Sequence, residues 1–160
     1  MTAHADTSEK KGNKRSTARL GAVQALYQMD TAASDVEATV QEFEQFRLGK
    51  EAGGAEYAPA DFGFFRDIVR GVVREQLKLD PEIDDALLGD WPLERVDMTL
   101  RQILRCGLYE ILFRKDVPYK AVIAEYVDIA EAFFDKSEEV RLANAVLDGL
   151  ARKHRAAEFS

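Results

Sequence analysis

Apolar side chains in this chain recur at three- and four-residue steps, and nowhere do they alternate with polar ones long enough to claim a strand. The longest case is "WPLERVDMTLRQILRCGLYEILFR", residues 91–114, where Val96, Leu100, Ile103, Leu104, Leu108, Ile111 and Leu112 return on a helical period. A stripe of that width must be covered by other helices, and the remaining sequence supplies them. From about Ser16, Ala18, Ala22, Val23, Ala25, Leu26 and Met29 line one face. Val36, Val40 and Phe43 line a second helix, with Ser34 or Asp35 as its cap and Glu37 placed as in a capping box with Ser34. Asp61 caps a third, with Phe65, Ile68, Val69, Val72 and Leu77 inward. Asp80-Pro81 reads as a cap followed by a first-turn proline, opening a short helix that Gly89 closes. Pro118 starts the next, with Val122, Ile123, Tyr126, Ile129, Ala130 and Phe133 inward, and Ser137 caps the last, with Val140, Ala143, Val146, Leu147 and Leu150 inward.

The pattern predicts an all-α chain of about seven helices in two small packed bundles, with a disordered tail over 1–13. A single domain is expected over 14–155, its halves at about 14–80 and 81–155. The glycine-rich "GKEAGGAEYAPA" stretch, 49–60, reads as a flexible loop in the first half. A bundle of roughly 65 residues is marginal alone, so the halves are expected to pack on each other.

Composition removes several functions. Cys106 is the only cysteine, which leaves no internal disulfide and no thiolate-rich zinc site. Its place mid-helix among apolar residues suits a small core side chain better than a nucleophile. The two histidines, His4 and His154, lie near opposite ends, and no glycine-rich phosphate loop or Gly-Lys-Ser/Thr sequence is present. Adjacent acidic pairs such as Asp84-Asp85 point about 100° apart on a helix, which suits solvent better than a shared metal. No catalytic residue, metal or cofactor is therefore expected. No apolar run approaches the roughly 18 residues that span a bilayer, and no secretion signal opens the chain, so a cytoplasmic protein without membrane contact is expected.

Charge is distributed unevenly. The chain carries −7, yet Lys10 to Arg19, "KKGNKRSTAR", holds five basic side chains and no acidic one, which leaves −12 on the other 150 residues. Arg15 and Arg19, four apart, share a helix face, with the hydroxyls of Ser16 and Thr17 beside them. Cations near a helix N-terminus oppose the macrodipole by about 0.3–1 kcal/mol, so their presence suggests a phosphate ligand; a merely solvated tail is the alternative. Arg101 and Arg105, also four apart, read as rim contacts or surface charges.

Four stretches carry a resemblance: "AVQALY" (Ala22–Tyr27), "LR…LYE" (Leu104–Glu110), "DVPYKAVI.E" (Asp116–Glu125) and "NAVLDG" (Asn144–Gly149). In order and spacing they resemble the NusB family of bacterial transcription antitermination factors, from about Arg15 to Ala151. The resemblance implies a fold of two helical bundles and a non-enzymatic, RNA-binding role. Its implied partners are single-stranded boxA RNA, the small-subunit ribosomal protein NusE, and the RNA polymerase complex that reads ribosomal RNA operons. Carried over position by position, it implies RNA contacts at Lys14, Arg15, Ser16, Thr17, Arg19, Tyr27, Lys120, Arg141 and Asn144. The chain departs from the family at Ser16 and Thr17, where several members have arginine, and at Leu142, where an aromatic is common. Lys10 and Lys11 are candidates for replacement phosphate contacts. Each position also has a structural reading, such as Tyr27 at the core edge, Asn144 bonding a buried backbone group, or "VPYK" as a plain turn. At the level of the whole chain, the alternatives are a protein-binding helical adaptor and the non-catalytic part of an RNA methyltransferase system.

Overall fold

The computed structural model describes residues 3–48, 59–87, 95–135 and 137–159, with side chains from Lys14 onward. Six α-helices run through them: α1 (Ala3–Ala32), α2 (Val36–Glu42), α3 (Phe62–Ala86), α4 (Met98–Phe113), α5 (Tyr119–Phe134) and α6 (Glu138–His154). A π-helical turn, Phe43–Arg47, extends α2, and a 3-10 turn, Ala156–Phe159, follows α6. No strand occurs among the described residues, and none of their helices is long and apolar enough to cross a membrane. The side chains of the expected tail at 1–13, and the glycine-rich residues 49–58, lie outside the described set.

Three aspartates set helix starts. Asp35 accepts from the Ala38 N–H at 3.1 Å, Asp61 from Phe64 at 2.9 Å, and Asp97 from Thr99 at 2.8 Å and Leu100 at 3.3 Å. Each such cap contributes about 1 kcal/mol. Asp97 places the start of α4 later than the apolar period from Trp91 suggests. Two expected caps take other partners. Glu37 forms no capping box; the Arg70 guanidinium binds it at 2.8 and 2.6 Å and holds its carboxyl below the usual range. Ser137 stands at the N-cap of α6, but its hydroxyl donates to the Glu139 carboxylate at 2.6 Å.

The proline at 81 does not open a helix. α3 continues through it to Ala86, with Pro81 on the exposed side and Asp80 drawn to a guanidinium instead of a cap. Two expected core residues are also exposed: Leu77 at 94% and Phe133 at 45%. At 100° per residue Leu77 falls about 140° from Val72, on the face opposite the buried Val72, Leu79 and Ile83.

Contacts divide the chain at Arg70–Gly71, inside α3. In the first unit α1 packs on α2 and its π-helical turn, and the Phe43 and Phe65 rings stack at 6.0 Å. Gly21 of α1 leaves room for Leu48 and Phe65, which a Cβ there would meet. In the second unit α4, α5 and α6 pack pairwise, and α4 is the enclosed member, with every residue from Gln102 to Ile111 buried. A helix buried on all sides is expected to be apolar all round. Here three polar side chains, Gln102, Arg105 and Glu110, go under with it, and each is bonded. Arg105 is no surface charge: it grips Asp80 at 2.9 and 2.8 Å and reaches Gln102 at 3.3 Å. Glu110 accepts the Tyr126 hydroxyl proton at 2.5 Å. Cys106 is fully buried, as its apolar neighbours suggest, and burial pushes its thiol upward.

The C-terminal end of α4 is closed by a residue far along the chain. Arg155, 4% exposed, donates Nε to the carbonyl of Ile111 at 3.0 Å and Nη1 to that of Val117 at 2.6 Å. Its Nη2 donates to the carbonyls of Glu110 at 3.0 Å and Arg114 at 2.9 Å. These are helix-end carbonyls and turn carbonyls, which otherwise need water.

Arg155→Met is expected to destabilise by about 2–4 kcal/mol in denaturant titration, because several buried carbonyls lose their donor together. Arg152→Ala, which removes an exposed i,i+4 pair with Asp148, is expected to change stability by less than about 1 kcal/mol. Glycine space gives a second contrast. A Cβ on Gly71 would lie 2.2 Å from the Tyr109 ring, so Gly71→Ala is expected to lose about 1–3 kcal/mol. Gly149, exposed within α6, would meet nothing within 4 Å, so Gly149→Ala is expected to gain about 0.5–1 kcal/mol.

Candidate nucleic-acid interface

In the first unit the basic run lies inside α1, and exposure falls along it. Lys14 is exposed, Arg15, Ser16 and Thr17 are half-buried, and Arg19 is 4% exposed. The backbone is pinned there: the Asp61 N–H donates to the Lys14 carbonyl at 3.1 Å. That bond brings the start of α3 against α1 and sets Phe64 under both arginines. The guanidinium of Arg15 lies 4.5 Å over the Phe64 ring centroid and that of Arg19 lies 4.8 Å from it. Arg15 Nε is also 3.7 Å from the Asp61 carboxylate, an ion pair beyond hydrogen-bond length. A guanidinium stacked on a ring gains about 0.5–2 kcal/mol, more as it is desolvated. The sequence places Arg15 and Arg19 at an exposed helix start; in the fold α1 begins at Ala3, so both lie well inside it, away from the N-terminal N–H groups, and the Phe64 ring covers Arg19. Tyr27, two turns on, is 41% exposed, and no described residue bonds its hydroxyl. Lys10 and Lys11 lie outside the described side chains.

In the second unit the expected residues lie on α5 and α6. Lys120 is in the first turn of α5, behind Pro118 at the N-cap, and is exposed. Arg141 and Asn144 are exposed on α6, three residues and so one helical step apart. Asn144 has no hydrogen-bond partner among the described residues, so it is not spent on a buried backbone group. Lys120 and Asn144 line one groove of about 470 Å³ between α5, α6 and the 3-10 turn. Leu142 lines a different one, between α3 and α6.

Most cations of the described residues are already engaged. Arg66, Arg70, Arg105, Arg114, Arg152 and Lys153 all hold carboxylates at 2.6–3.0 Å. Lys14, Lys120 and Arg141 hold none among the described residues. The arrangement leaves ammonium and guanidinium groups in water and ready for an external anion, beside an unsatisfied amide. It offers no group of three or more metal-ligating side chains among the described residues. Sequence reasoning missed Tyr119, Arg152 and Phe159, which share the groove with Lys120 and Asn144. The spacing of Asn144, Asp148 and Arg152, four and eight along one helix face, was the available signal.

Comparison with known proteins gives one consistent answer. The sequence model of the NusB family matches residues 16–152. "Transcription antitermination protein NusB" of Nitrobacter hamburgensis is 55% identical over 95% of this chain and 94% of its own length. Among solved structures, T. maritima NusB superposes with a TM-score of 0.72 at 27% identity, covering 91% of this chain and 96% of that one. A chain from the crystal structure of the antitermination factors NusB and NusE with double-stranded RNA shares the fold, with a TM-score of 0.68 at 21% identity over 86% of this chain and 96% of that one. With the family pattern spanning both units and more than half of the residues shared with a curated relative along nearly its whole length, the chain belongs to the NusB family.

Proposed function

We infer that the protein is a non-catalytic, RNA-binding transcription antitermination factor that takes single-stranded boxA-type RNA together with the ribosomal protein NusE, and so joins the antiterminating RNA polymerase complex. Family membership supplies the antitermination role. The observation that carries the RNA reading is the division of cations. An acidic chain that ties most of its described arginines to carboxylates leaves Lys14, Lys120 and Arg141 without one among the described residues, a state they share with Lys78, Arg95 and Lys115. Solvated cations with no internal partner suit phosphate contacts, since binding releases counterions without breaking an existing ion pair.

Residue roles then separate. Lys14, Arg15, Lys120 and Arg141 act on phosphates, and Ser16 and Thr17 supply short hydroxyl contacts beside them. Tyr27 offers an exposed ring for a base, and Asn144 offers an amide for a base edge. Arg19, under Phe64, acts by holding the middle of α1 and the start of α3 together, which fixes Arg15. The −12 carried outside the basic run suits NusE, a strongly basic partner, because opposite potentials steer association.

Affinity for boxA-type RNA in the presence of NusE is expected to fall about tenfold or more between roughly 50 and 200 mM salt, read by fluorescence anisotropy. Flat affinity over that range favours a protein-binding adaptor. Lys14→Ala and Lys120→Ala are each expected to weaken RNA binding roughly fivefold and flatten the salt slope, with the unfolding midpoint unchanged. Arg19→Ala is expected to lower the unfolding midpoint, losing roughly 1–2 kcal/mol of stacked, desolvated contact with Phe64.

A further inference from the structure

The groove between α5 and α6 holds a set of groups unlike those of a phosphate seat. One end is a flat wall rich in π-electrons: the Tyr119 and Phe159 rings stack at 4.1 Å and 27°, and the Arg152 guanidinium lies 4.6 Å over Phe159. Arg152 is also held by Asp148 at 2.8 Å, which leaves its plane fixed and its charge largely offset. The same groove is lined by Asn144 and Asp128, both exposed and both without a hydrogen-bond partner among the described residues. Lys120, in the first turn of α5, is the one lining cation that no carboxylate holds among the described residues.

Resting on the RNA reading above, we propose that this groove docks one unstacked nucleobase of the bound strand, selected by Asn144 and Asp128 in favour of a base with an exocyclic amino group. The volume, about 470 Å³, is large enough for a base. Two carboxylates in the lining repel a phosphate, so the backbone stays outside, against Lys120. Aromatic rings and guanidinium planes are the surfaces on which splayed single-stranded bases rest. An ionised carboxylate only accepts hydrogen bonds, whereas a carboxamide both donates and accepts. Asp128 therefore takes an amino N–H, and Asn144 pairs with the neighbouring acceptor, as a carboxamide does with the N6/N7 edge of adenine. Uracil presents its O4 carbonyl where the amino group belongs and leaves Asp128 facing an acceptor. The larger groove between α3 and α6, about 560 Å³, lacks this set: Lys153 there is bound to Glu82 at 2.9 Å, and its floor is apolar.

The test is anisotropy titration of a short single-stranded boxA-type RNA with NusE present, each nucleotide replaced in turn by an abasic unit, on the wild-type chain and on Asn144→Ala and Asp128→Asn. Both residues are exposed, and matching unfolding midpoints establish that the variants are folded. The expected result is a loss of about tenfold at one position in the wild type, and a penalty at that position smaller by about threefold or more in Asn144→Ala. At the same position Asp128→Asn is expected to narrow the gap between an amino-bearing base and uracil. Penalties that multiply independently at every position overturn the groove and leave the RNA reading standing. Absence of wild-type binding at any salt overturns both.

Discussion

The second unit depends on the enclosure of α4. A helix with no solvent face cannot hand its last carbonyls to water, and an unsatisfied buried carbonyl is worth a few kcal/mol against folding. Arg155 resolves this by placing one planar, always-charged donor fork against four carbonyls at the end of α4 and in the turn that follows. The consequence reaches further than stability. The carbonyl of Val117 immediately precedes Pro118, the N-cap of α5, so the same guanidinium that closes α4 also sets where α5 begins. The side chains of Tyr119 and Lys120 project from that start. Glu158 and Phe159, beyond Arg155, meet Tyr119 at its N–H and its ring.

Three groups of cations stand apart in this chain by what surrounds them. Arg105 and Arg155 are buried and saturated with hydrogen bonds, and removing either partner would strand a charge in low dielectric. Arg19 is buried against a ring, a softer arrangement that a weakly hydrated guanidinium tolerates better than an ammonium. Lys14, Lys120 and Arg141 stay in water. Carboxylates hold most of the described arginines in this acidic chain.

Helix identity was readable because it rests on local rules. Buried Val23, Leu26, Phe65, Ile68, Leu104, Leu108, Val146 and Leu147 all lie where a 3.6-residue period puts them, and Asp35 and Asp61 cap as short acceptors do. Errors arose where a local signal met a stronger distant partner. Glu37 looked like a capping-box residue and is held by Arg70; Asp80 looked like a cap and is held by Arg105. Pro81 looked like a first-turn proline, yet α3 passes through it, since an exposed site accommodates the lost hydrogen bond.

By itself, then, the amino-acid order determined an all-helical chain, the apolar face of nearly every helix, the inertness of Cys106, and the motifs that place it in its family. Only the tertiary structure decided which cations are available. Arg15 and Arg19 carry the same charge four residues apart, but a ring brought from α3 hides one more than the other. Arg141 and Arg155 are equally basic on or just beyond α6, but one faces water and the other the end of α4. The reason is one of range: hydrophobic period and capping act over a single helical turn, whereas desolvation and ion pairing depend on residues brought together from far along the chain.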